Sequence, residues 1–198
     1  FEHQHPVPGH HGQSMILKVP ASIDPTLLRR AVQSVGNHHD ALRLRFQPAP
    51  SGWLEEIAAY SEDVPFSEID LTAVPEPGRR QALDAAVAGL CSGQELTGGP
   101  LFHAAFFSFG AGQPGRLAVV AHSLVADRSS MEILVRDLET ACRQLSAGGG
   151  VTLPAKTTSY QYWSKKLLEH AASARLREES GYWLNDAGSE MPALPLDH

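Results

Sequence analysis

The chain has 198 residues, 42% of them apolar or aromatic and 19% charged, which is the composition of an ordinary globular protein with enough chain for one core or two small ones. Sixteen Lys and Arg against 22 Asp and Glu leave a net charge of −6, which argues against a nucleic-acid partner. No apolar run approaches the roughly 20 residues of a membrane span and no signal peptide opens the chain, so we expect a cytoplasmic protein with no membrane partner.

Residues 1–12, rich in His, Pro and Gly, read as an irregular lead-in. Ser14 to Val19 predicts a short strand. Asp24-Pro25 predicts a helix start, Asp as N-cap and Pro at the first position, where its missing N–H costs nothing. Leu28, Ala31, Val32 and Val35 follow at helical spacing and predict a buried face ending near Gly36-Asn37. Leu42 to Phe46 alternates strictly, predicting a strand with three side chains in a core and Arg43 and Arg45 facing elsewhere. Trp53 to Ile57 fits a hairpin partner, and Phe66 to Leu71 a short or edge strand.

A second helix is predicted over about Arg79 to Cys91, with Ala82, Leu83, Ala86, Val87 and Leu90 on one stripe, followed by a turn at Thr97-Gly98-Gly99-Pro100. Leu101 to Phe109 and Arg116 to His122, separated by a Gly-rich turn, predict a hairpin of buried central strands. A third helix runs from Ser129 to about Leu145, burying Met131, Leu134, Val135, Leu138 and Cys142. Tyr160, Trp163, Leu167 and Ala171 mark a fourth, whose aromatic stripe reads as helix packing, and Leu176 to Leu184 a fifth. Cys91 and Cys142 read as buried thiols in a reducing compartment. This order predicts an α/β two-layer sandwich, a mixed or mostly antiparallel sheet covered by helices, with a core over 13–146, a loop over 147–158 and a helical extension over 159–198.

One local feature carries chemistry. At Val119 to Ser129 a strand leaves the core, turns and becomes a helix within a few residues, so polar groups there face whatever cleft the sheet end forms. By residue type, Asp127 or Ser129 reads as the helix N-cap and His122 as a hydrogen-bonded histidine. Metal is not expected: the His10-His11 and His38-His39 pairs have no Cys or carboxylate at ligand spacing. Gly110 to Gly115 resembles a phosphate loop only in glycine content.

Four segments in order resemble the condensation domains of nonribosomal peptide synthetases. Asn37 to Phe46 resembles the family's "xxHxALRxRF" segment, and Gly99-Pro100-Leu101-Phe102 its "GPLFR" strand start. Leu153 to Trp163 resembles "LPxKTTSYQxW", most typical of the epimerization branch, and Phe1 to Ser14 resembles the family's opening. The resemblance implies an N-terminal lobe with the fold of chloramphenicol acetyltransferase, about half of a two-lobed domain. The remainder would lie in the parent chain or a partner chain, because the chain starts at Phe1 and stops at His198.

The family's His-His-x-x-x-Asp-Gly hallmark falls at the same turn, aligning with His122, Ser123, Asp127 and Arg128. The resemblance thus implies that Ser123 replaces the catalytic second histidine, that Arg128 replaces the glycine, and that Asp127 is a structural residue paired with Arg43 or, second, Arg45. A hydroxyl cannot replace an imidazole as general base, a loss worth roughly 10²–10⁴ in rate. The expected function is a catalytically impaired lobe acting as scaffold or recruitment platform for a carrier protein or tailoring enzyme. The alternatives are part of an active condensation or epimerization domain handling carrier-bound thioesters, or a remnant pairing through its exposed face. No directly bound cofactor is expected; substrates would arrive on a carrier's phosphopantetheine.

Overall fold

The computed structural model describes residues 12–50, 52–61, 65–97 and 100–185. The expected lead-in, apart from Gly12, and the Gly98-Gly99 turn lie outside the described residues. The chain divides into two compact units, Phe1–Ala155 and Lys156–His198.

In the first unit, strand β1 (Gly12–Val19) leads to helix α1 (Pro25–His38). Asp24 caps α1, its Oδ1 accepting from Thr26 N at 2.8 Å, and Leu28, Ala31, Val32 and Val35 are buried as their spacing requires. A 3₁₀ turn (Asp40–Arg43) follows, then β2 (Leu44–Ala49) and β3 (Gly52–Ile57), which pair with each other as a separate two-stranded sheet. Gly52 closes this hairpin at φ +128°, a conformation that side-chain-bearing residues rarely adopt.

The strand expected from Leu42 therefore begins two residues later. Leu42, Leu44 and Phe46 are all buried, so the alternation of burial is real, but its first part lies on the 3₁₀ turn. The Arg43 guanidinium holds that turn closed, donating to Asn37 O, to Asp40 Oδ1 at 2.9 Å and to Ala58 O at 3.0 Å.

β4 (Phe66–Asp70), α2 (Glu76–Ser92) and β5 (Phe102–Ser108) form a β-α-β unit whose two strands run parallel side by side, and β6 (Gly115–His122) returns antiparallel to β5. The main sheet has the order β1-β6-β5-β4, with one parallel and two antiparallel contacts. α3 (Arg128–Ser146) completes the unit. The second unit holds α4 (Tyr160–Ala171) and α5 (Ala174–Asn185).

Because side chains alternate across a strand, the sheet feeds two separate cores. Leu17, Val19, Phe102, Ala104, Leu117, Val119 and Ala121 pack with α1 and α3 on one face. Ile16, Ala105, Phe107, Ala118 and Val120 pack with Leu83, Val87 and Cys91 of α2 on the other. The mixed, helix-covered sheet is as expected, with α1 and α3 on one face and α2 on the other.

Cys91 and Cys142 are buried, and burial with Glu139 nearby pushes the Cys142 thiol up to about 11. The α4 stripe departs from expectation: Tyr160, Trp163 and Leu167 are 53–59% exposed.

Candidate functional site

The turn between β6 and α3 is built almost entirely from backbone. His122 ends β6, its N–H donating to Leu101 O at 2.8 Å across to the start of β5. Its carbonyl accepts from Val125 N at 2.9 Å and from Ala126 N at 3.1 Å, reversing the chain within three residues. Val125 and Ala126 are buried and pin the turn to the α1–α3 core, leaving Ser123 and Leu124 on the outside. His122 Nδ1 accepts from Leu124 N at 3.2 Å, so in the neutral ring the proton sits on Nε2. The half-buried His122 ring belongs by alternation to the α2 side of the sheet, whereas Ser123 begins the exposed bend. Consecutive residues thus present an imidazole and a hydroxyl in different settings.

Asp127 is the N-cap of α3. Its Oδ1 accepts from Ser130 N at 2.7 Å and from Ser130 Oγ at 2.6 Å, and these two bonds hold its carboxyl below the usual carboxylate range. Arg128, in the first turn of α3, is 92% exposed and lies 3.9 Å from Glu132.

The expected pairing of Asp127 with Arg43 is not what the structure shows. Arg43 is committed to Asp40, Asn37 and Ala58, and stacks on Tyr60 with its Cζ 4.5 Å from the ring centroid. Arg45 donates to Leu44 O and stands opposite Glu56 in the β2–β3 ladder without forming an ion pair among the described residues; burial lowers its pKa. The physical reason is local: the 3₁₀ turn folds Arg43 back on α1, and Asp127 is exposed and already satisfied by its own helix. Asp127 is therefore no buried carboxylate in need of a cation.

Two residues that sequence reasoning missed shape this region. Gln94 Nε2 donates to Leu101 O at 3.2 Å, the same carbonyl that receives the His122 N–H, so Gln94 ties the end of α2 to the motif turn. Its Oε1 is buried without a partner among the described residues. Gly12, the register partner of His122, leaves room for this approach, since a Cβ there would sit 3.3 Å from Gln94 Oε1 and from Ala121 O. Asp137, on the buried side of α3, meets His39 Nε2 at 2.7 Å with only 8% of its side chain exposed. That contact ties the C-terminal end of α1 to α3 and gives the His38-His39 pair a structural role. No signal in one sequence marks either contact: His39 and Asp137 lie 98 residues apart, and the seven residues from Gln94 to Leu101 carry no helical or strand period.

A cavity of about 490 Å³ lies between the end of α1, the 3₁₀ turn and the start of β5, lined by Gly36, Asn37, Leu42, Arg43, Arg45 and Phe102 among others. Among the described residues no group of three or more His, Cys, Asp or Glu is placed to hold a metal ion, and no helix is long and apolar enough to cross a membrane.

Comparison with known proteins places this geometry. The family model described as the condensation domain matches residues 1–198. One of the linear gramicidin synthase proteins of Brevibacillus parabrevis is 39% identical over 198 residues, which are 100% of this chain and 2% of that protein. Chondramide synthase cmdD of Chondromyces crocatus is 38% identical over 203 residues, covering 100% of this chain and 5% of that protein. Among solved structures, the epimerization domain from the third module of tyrocidine synthetase B superposes with a TM-score of 0.82 at 28% identity, covering 93% of this chain and 42% of that one. The chain thus spans less than half of the solved domain and a small part of the synthetases it matches. A chloramphenicol-acetyltransferase-like sheet and helices, together with a family match from end to end, identify the chain as a member of the condensation domain family, a lobe of the kind found in nonribosomal peptide synthetases.

Proposed function

We propose that this lobe, residues 1–198 taken as one N-terminal unit, is catalytically impaired and serves as a scaffold or recruitment platform for carrier or tailoring proteins. The observation carrying this reading is the β6–α3 turn: Ser123 occupies the exposed bend, and the neighbouring His122 has its Nδ1 engaged by the Leu124 amide. A serine hydroxyl does not titrate near neutrality, so the bend holds no general base of its own. Asp127, as N-cap, keeps the turn in shape. Carrier proteins would present thioesters on phosphopantetheine, with no cofactor held by this chain, in the cytoplasm. The second lobe would come from the parent polypeptide or a partner chain.

A second reading, part of an active epimerization-type domain, draws support from the 0.82 TM-score and 28% identity to an epimerization domain. Turnover of carrier-bound aminoacyl thioesters by the parent protein separates the two. Under the scaffold reading the unaltered protein is no faster than background, and Ser123→His with Arg128→Gly raises the rate by roughly 10²-fold or more. Full turnover in the unaltered protein, undiminished by Ser123→Ala, would establish the second reading instead.

A further inference from the structure

At the far end of the sheet from His122 the chain gathers positive charge around an open cavity of about 500 Å³. Lys18 and Arg116 face each other across the β1–β6 ladder, a like-charged pair that is unfavourable unless something anionic lies between them. Arg79 and Arg80 reach the same cavity from α2, and Glu76 is the one acid in its lining among the described residues. Arg80 is paired with Asp84, but no carboxylate pairs with Lys18, Arg79 or Arg116 among the described residues.

Arg79 is held in place rather than loose. Its Nε donates to Val74 O at 3.0 Å and its Nη1 to Gln113 Oε1 at 3.0 Å. Arg116 Nη1 donates to Gly115 O at 3.0 Å. Both guanidinium groups lie over the Phe109 ring, at 5.6 and 5.9 Å from its centroid, and each has further N–H groups for another acceptor. Leu83, Phe109 and Pro114 add an apolar flank. In a chain of net charge −6, three cations without acidic partners among the described residues, two of them over one aromatic ring, form a receptor for an oxyanion.

We propose that this cavity is a binding site for phosphate groups, separate from the β6–α3 turn. His122 and Arg116 are six residues apart on one strand, roughly 20 Å at about 3.3 Å per residue. The site takes a phosphate on Arg79, Arg116 and Lys18, and the apolar flank takes any organic group the phosphate carries.

Isothermal titration of the full chain with inorganic phosphate, pyrophosphate and phenyl phosphate, in chloride buffers of matched ionic strength, tests this. Saturable binding is expected, weakened at least roughly tenfold by Arg79→Gln or Arg116→Gln. Lys18→Gln, at an exposed position, should weaken it with the fold intact by circular dichroism, and Arg30→Gln on α1 should leave it unchanged. Phenyl phosphate binding more tightly than inorganic phosphate marks the ligand as a phosphate ester; equal affinities mark it as free phosphate. Absence of saturable binding by all three probes, or binding that none of the cavity variants weakens, overturns the proposal and leaves the platform reading untouched.

Discussion

Asp127 takes two hydrogen bonds from one residue, Ser130, and that local arrangement accounts both for its lowered pKa and for its place in the structure. Asp127→Ala is expected to lower the unfolding free energy by about 1 kcal/mol in urea titrations, and Asp127→Asn by much less, because asparagine caps nearly as well. The depressed pKa means that the contribution of Asp127 is present above the ordinary carboxylate value near 3.9 and is lost as pH falls through the lower folded one.

His103 behaves in the same sense at higher pH. Burial holds its imidazole below the ordinary value, and its Nε2 lies 2.9 Å from Ser67 Oγ across the β4–β5 pair. As pH falls through about 6.5 the unfolded chain binds the proton first, so stability present above that value is lost on acidification. Between pH 7.5 and 5.5 the thermal midpoint should therefore drop further in the unaltered chain than in His103→Gln. Equal drops would show that His103 does not set the slope.

Among the elements, glycine positions give the sharpest test of packing. A Cβ on Gly115, at the start of β6, would lie 2.5 Å from Phe106 Cε2 and 3.0 Å from Phe107 O, and the latter is backbone that cannot turn aside. Gly115→Ala should cost about 1–3 kcal/mol of stability through overpacking. Gly89→Ala on α2 meets nothing within 4 Å and should raise stability by about 0.4–1 kcal/mol. Chemical denaturation of both variants measures the contrast.

The helices are legible in the sequence because their apolar spacing and caps are local: Asp24, Leu28, Ala31, Val32 and Val35 all do what their pattern implies. The segment from Leu42 is harder to read because burial alternates through it while the backbone changes from a 3₁₀ turn to a strand. Arg43 sits at that change, bonded both to Asn37 and Asp40 nearby and to Ala58, fifteen residues on.

At the scale of the whole chain, the second unit carries large apolar side chains in the open: Tyr160, Trp163 and Leu168 on α4, and Tyr182, Trp183 and Leu184 on α5, are 53–72% exposed. The chain should bind the dye anilinonaphthalene sulfonate, and Trp163→Glu with Leu168→Glu should reduce the fluorescence without shifting the main thermal transition. Undiminished fluorescence would place the apolar surface elsewhere.

The amino-acid order alone determined the helix faces, the β5–β6 hairpin, the resemblance from end to end, and the presence of Ser123 beside His122 at a strand-to-helix turn. Each of these is written in spacing of a few residues, where backbone geometry and side-chain period leave few choices. That Arg43 reaches Ala58 and leaves Asp127 to its own helix, the Gln94 clamp on Leu101, the His39–Asp137 contact and the charged cavity around Phe109 were decided only by the fold. They bring together groups from separate elements, and which of several cations meets which acceptor depends on how the layers stack.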